Sequence, residues 1–87
     1  MRKIVVCSVR DSAAQSFAQP MFFPTTATAI RSFTDAVNRE DQNSNLYMHP
    51  QDFELWVIGL FDEDDGTFES PAEFRRCLAR GVDVKAS

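Results

Sequence analysis

The stretch Phe53-Glu54-Leu55-Trp56-Val57-Ile58-Gly59-Leu60-Phe61 decides how this chain folds. It is rich in aromatic and β-branched residues and runs into the turn-forming Asp62-Glu63-Asp64-Asp65-Gly66, so it reads as a strand. Phe53, Leu55, Val57 and Phe61 alternate against Glu54, Trp56, Ile58 and Leu60. Both faces are apolar, and each therefore needs a cover. Two helices can cover one of them. The other asks for a further element, a partner subunit or a ligand.

Moving outward, Asp65-Gly66 predicts a tight turn, because glycine accepts positive φ, and Thr67-Phe68-Glu69 is the return strand. Ser70-Pro71-Ala72-Glu73 carries helix-start signals: Ser70 as N-cap, Pro71 in the first helical position, Glu73 closing a capping box. The reading is a helix with Phe74, Cys77 and Leu78 on its apolar face, ended by Gly81. Residues 40–52 are polar and turn-rich. Residues 25–39 predict a helix capped by Thr25 or Thr26, with Ala29, Ile30, Phe33, Ala36 and Val37 as its apolar stripe. Pro20 and Pro24 forbid a regular helix over 11–24, which reads as extended or irregular, with short strands near Phe17 or Phe22-Phe23. Residues 3–10 are a second two-faced, hence central, strand. Together these predict one small α+β domain over 1–87: a three- to four-stranded, mainly antiparallel sheet and two helices in the order β-α-β-β-α, with 82–87 a loose tail.

The composition fits a folded chain: 87 residues, 44% hydrophobic and 25% charged. A domain of this size buries only about 60–65% of its unfolded surface, which favours a homodimer or higher homo-oligomer. No apolar run reaches the ~20 residues that span a bilayer, and the N-terminal apolar stretch is too short for a secretory signal, so no membrane is expected as a partner. Cys7 and Cys77 are too few for a disulfide framework and read as buried small hydrophobes.

The net charge of −4 hides an asymmetry. Residues 1–39 carry Arg2, Lys3, Arg10, Arg31 and Arg39 against Asp11 and Asp35; residues 40–70 carry nine acids and no Lys or Arg; residues 71–87 are basic again. A local basic face can thus coexist with an acidic total. The acids at 62–65 do not make a calcium loop, because counting from Asp62 the glycine falls at the fifth rather than the sixth position. His49 and Cys7 have no motif around them that marks a catalytic pair, and no phosphate-binding glycine loop, CxxC or HExxH occurs. The reading is non-enzymatic, without catalytic residues, metal or cofactor. Among Phe17, Phe22, Phe23, Tyr47 and Trp56, rings left in solvent beside arginines would stack bases. Phe22, Phe23 and Tyr47 are the candidate rings, Arg10, Arg31 and Arg39 the candidate phosphate contacts, and Arg75, Arg76 and Arg80 a second basic surface. Phe33, Phe53 and Phe74 are assigned to the core.

The order Asp11-Ser12, Gln19-Pro20-Met21-Phe22, Ala29-Ile30-Arg31-Ser32-Phe33-Thr34-Asp35-Ala36-Val37-Asn38, His49-Pro50-Gln51-Asp52-Phe53, Leu55, Ile58-Gly59 and Phe61-Asp62 resembles the small nonstructural protein of gokushoviruses, single-stranded DNA phages of the microvirus family. The resemblance spans about residues 4–72. It implies a non-enzymatic early protein of the host bacterial cytoplasm that binds single-stranded DNA during genome replication, or in the switch to single-stranded genome synthesis or packaging. Gln19, Pro20, Phe22, Arg31, Asp35, Asn38, His49 and Pro50 fall on the family pattern. The other expectation is a protein-interaction module that regulates a phage or host replication factor through the acidic middle of the chain.

Overall fold

A computed structural model describes residues 2–86. Six strands form one sheet: β1 (Lys3–Asp11), β2 (Ser16–Phe17), β3 (Met21–Phe23), β4 (Phe53–Asp62), β5 (Thr67–Glu69) and β6 (Arg76–Arg80). Three helices accompany them: α1 (Thr26–Asn38), α2 (Asn45–Met48) and α3 (Gly81–Val84). The α+β class and the antiparallel pairing are as predicted; the element count is larger. β1 and β4 pair along their whole length at the centre. The short strands β2 and β3 share the outer edge of β1, while β5 and β6 share that of β4. The sheet is therefore only four strands wide.

Why the chain folds this way is clearest at α1. Thr25 sits extended and its Oγ1 accepts from Thr28 N at 3.1 Å, satisfying one of the free donors of the first turn. From that start, Ala29, Phe33 and Val37 come to one face and bury against Val5, Cys7, Leu55 and Val57 of the sheet. Leu46 of α2 and Val84 of α3 pack against the same core. All three helices thus lie on one side. Asp65-Gly66 forms the predicted tight turn, with Gly66 at φ 72° and its N–H donating to Asp62 O at 2.8 Å.

The C-terminal third departs from expectation. The helix predicted after Ser70 is a single 3-10 turn, Ala72–Phe74, followed by β6. The start signals are used otherwise. Ser70 Oγ donates to Ile58 O, holding the end of β5 to β4 rather than capping a helix. Pro71 is extended, at ψ 139°. The chain beyond then completes the outer edge of β4, whose N–H and C=O groups would otherwise be unpaired. Cys77 consequently lies exposed on a strand instead of buried on a helix face, while Cys7 is fully buried. Gly81 does not end a helix; it opens α3, and its missing side chain lets Pro50 O approach. The segment expected to be a loose tail is fastened through residue 86: Asn38 Nδ2 donates to Val84 O at 2.9 Å, and Ala86 N donates to Asn38 Oδ1 at 2.7 Å. Ser87 lies outside the described residues.

Candidate nucleic-acid interface

The sheet has two faces, and only one carries helices. Val5, Cys7, Val9, Leu55, Val57 and Leu60 point to the helices. By alternation Ile4, Val6, Ser8 and Arg10 of β1 point the other way, as do their partners Phe61, Gly59, Trp56 and Glu54 of β4. Phe61 was expected on the side of Leu55 and Val57. The register shifts there: Val6 pairs with Gly59 and Cys7 with Val57, so Ile58 is the extra residue of a bulge and the alternation beyond it inverts. Gly59 suits this site because a Cβ there would stand 2.6 Å from Glu69 O of β5.

Two groups of rings stand on this open face. Phe17, the register partner of Arg10, meets Trp56 edge-on at 6.0 Å. Phe22, the partner of Val6, meets Phe61 at 5.6 Å and Phe68 at 6.1 Å, and Phe61 meets Phe68 at 4.9 Å. Phe17, Phe22 and Phe68 are 42%, 46% and 66% exposed. The two groups are four residues apart along β1, about 13 Å at the strand rise. A small cavity of about 220 Å³ opens on the same side, lined by Val6, Pro20, Gly59 and Phe68.

Cations and one central anion accompany the rings. The Arg75 guanidinium lies 5.9 Å from the centre of the Phe17 ring. Arg10 Nη1 stands 4.0 Å from Glu54 Oε1, which also accepts from Trp56 Nε1 at 3.1 Å. Arg80 is the register partner of Glu54. On the opposite, helix-bearing face Lys3 Nζ is 2.8 Å from Glu69 Oε2, and that hydrogen bond raises the lysine pKa. Most acids of the acidic middle lie elsewhere: Glu63, Asp64 and Asp65 crown the β4–β5 turn, and Glu40, Asp41 and Asp52 sit in the connections between α1 and β4.

Of the residues singled out in sequence, the structure brings Arg10 and Phe22 together on this face, with Arg75 and Arg80 from the second basic surface. Arg76 is exposed beside Phe74, 5.9 Å from its ring. Phe23 points to the other side, packed against the core. Arg31 is exposed on α1 and Arg39 follows it, both on the helix side. Tyr47 is half-buried there too, its ring covered by Lys85 Nζ at 3.6 Å. Lys85 also donates to Val37 O and Tyr47 O, each at 3.3 Å, so this pair closes the C-terminal end of α1. Phe61 and Phe68 escaped the sequence reading. Ile58-Gly59 was the available signal, since a glycine inside a strand marks a bulge, and a bulge moves Phe61 across the sheet.

The helix side has its own opening, an apolar pocket of about 540 Å³ between α1 and the β2–β3 segment. Met21, Phe23, Phe33, Leu46, Phe53 and Leu55 are among its lining residues. Among the described residues no helix is long and apolar enough to cross a membrane.

Comparison with known proteins places the chain among phage proteins. Residues 4–84 match the family described as Phage ORF5 protein. Protein ORF5 of Chlamydia phage 1 is 38% identical over 63 residues, which is 70% of this chain and 66% of that relative. The match thus spans just under two thirds of the relative's length. No solved structure matches.

Proposed function

The chain belongs to the Phage ORF5 protein family, which bears out the gokushovirus resemblance carried by its motifs, and from that premise we propose that it is a non-enzymatic phage accessory protein that binds single-stranded DNA in the host bacterial cytoplasm. The observation that supports this most is the helix-free sheet face, which carries five aromatic rings, three of them exposed, with the arginines Arg10 and Arg75 among them. Every base has a π-face, so exposed rings bind bases with little regard to sequence, while arginines meet the phosphates. The acidic total is compatible with this because most of its charge lies at the β4–β5 turn and on the helix side. The step served is genome replication or the switch to single-stranded genome synthesis or packaging.

Titrating a labelled single-stranded oligonucleotide at several salt concentrations tests the reading. Binding that weakens linearly in log–log form with rising salt is expected. No binding at low salt, or binding indifferent to salt, overturns it.

The helix-side pocket favours a second reading, a protein partner from the phage or host replication machinery. Its lining includes Leu46, which sits within the acidic middle, so an apolar anchor flanked by basic residues is the partner segment that fits. Loss of binding to a purified replication protein on Leu46→Glu, with DNA binding unchanged, is the result that supports it; unaltered protein binding rules the pocket out.

A further inference from the structure

We propose that Glu54 is a specificity-determining residue that reads the edge of a base stacked at Trp56 and Phe17, selecting cytosine over bases that lack an amino group. The inference rests on the single-stranded DNA reading and adds to it a base preference that stacking alone does not supply.

On a face that gathers phosphates through arginines, a carboxylate at the middle opposes the charge of the DNA backbone. Glu54 nevertheless stands there, between Arg10 on β1 and Arg80 on β6 in the pairing register. It repels the DNA backbone and so directs it toward Arg10 and Arg75. What can approach the carboxylate is a hydrogen-bond donor, because an ionised carboxylate only accepts. On a single strand the donors are the base edges. Cytosine offers its N4 amino group, and Glu accepting from cytosine N4 is an established pairing geometry. Uracil and thymine present a carbonyl oxygen at that position, which the carboxylate repels.

The position of the group also suits a reader. Glu54 is half-buried, and its Oε1 accepts from the Trp56 indole N–H at 3.1 Å and faces Arg10 Nη1 at 4.0 Å. Both contacts use Oε1, and Oε2 takes part in neither. The carboxylate is thus held beside the ring pair at which a base stacks, with its orientation set before DNA arrives. Trp56 acts here as a positioning residue through its N–H, in addition to its stacking surface.

The test compares oligodeoxycytidine with oligodeoxyuridine 12-mers, which share ring size and differ at the base edge. Wild-type protein is expected to bind the cytidine oligomer about tenfold more tightly, the worth of one hydrogen bond to a charged group. Glu54→Gln should bring the two affinities within about twofold, the cytidine oligomer losing its charged acceptor and the uridine oligomer gaining because the repulsion of its carbonyl is gone. Trp56→Phe keeps a stacking ring and removes the orienting donor; it should narrow the preference and serves as the second variant should Glu54→Gln fail to fold. Equal binding of both oligomers by the wild type overturns the proposal and leaves the DNA-binding reading standing. A preference that survives in folded Glu54→Gln assigns it to another group and also overturns it. Failure of the wild type to bind either oligomer removes both readings together.

Discussion

Phe22 has its ring edge on Phe61 and nearly half its surface in solvent. Truncating it removes a stacking surface at small cost to the core. Phe22→Ala should lower affinity for single-stranded DNA about tenfold, in line with roughly 1–3 kcal/mol per stacked base, with the thermal midpoint little changed. Arg10 and Arg31 form a matched pair for a charge test, one on the open face and one on the outer side of α1. Arg10→Ala should flatten the log–log salt slope by about 0.7, one single-strand phosphate contact, whereas Arg31→Ala should leave it unchanged. Equal effects of the two would place DNA on the wrong side of the sheet. Cys7 supplies a third expectation. Burial pushes its thiol up to about 11 from an ordinary 9.0. Between those values the native state keeps a proton that the unfolded chain releases, so stability is intact below about pH 9 and falls as pH rises toward 11. Urea unfolding across that window should show a loss of roughly 2 kcal/mol that Cys7→Ala, whatever its own cost, no longer shows.

At the scale of elements, local chemistry and long-range pairing contest the region after Ser70. Each start signal for a helix is present in sequence, and the 3-10 turn Ala72–Phe74 is as far as they carry. Two or three turns of an isolated helix gain little, while the exposed edge of β4 offers a ladder of backbone bonds to any chain that lies along it. The helix at α1 was legible because its cap, its stripe and its burial agree. The turn at Asp65-Gly66 was legible because its conformation is dictated within the turn residues themselves. β6 was not, because its reason for existing lies on another strand. Gly81 shows the same dependence. Nothing near it in sequence indicates that Pro50 O packs against its α-carbon. Gly81→Ala must push two backbone segments apart, at about 1–3 kcal/mol. A fall in Tm on the order of 10 °C by calorimetry is expected.

For the whole molecule, the one-sided placement of the helices matters most. One sheet face is closed by α1, α2 and α3; the other bears rings in solvent. Such a face is also where a second copy would close its own apolar surface. If this chain self-associates as its small size favours, that contact and the proposed DNA contact would compete for this one surface. Light scattering during an oligonucleotide titration should show a dimer giving way to single chains with bound oligonucleotide. A dimer that persists at saturation would place the contact between copies elsewhere, and a chain that is monomeric at all concentrations would remove it.

The amino-acid sequence by itself determined the α+β class, the two central strands, α1 with its cap, the Asp65-Gly66 turn and the family motifs. These rest on period, capping and turn chemistry, which act over a few residues. It also indicated that both central strands are apolar on both faces, and so that something must cover the second face. Only the tertiary structure decided which rings occupy that face. The bulge at Ile58 carried Phe61 across the sheet, strand pairing set Phe17 and Phe68 beside Trp56 and Phe61, and the register brought Glu54 between Arg10 and Arg80. Arg31, Arg39 and Tyr47 have the same chemistry as the residues of the open face and lie on the other side. The physical reason is that a residue's type is local, whereas the face it shows depends on hydrogen-bond register with strands distant in sequence.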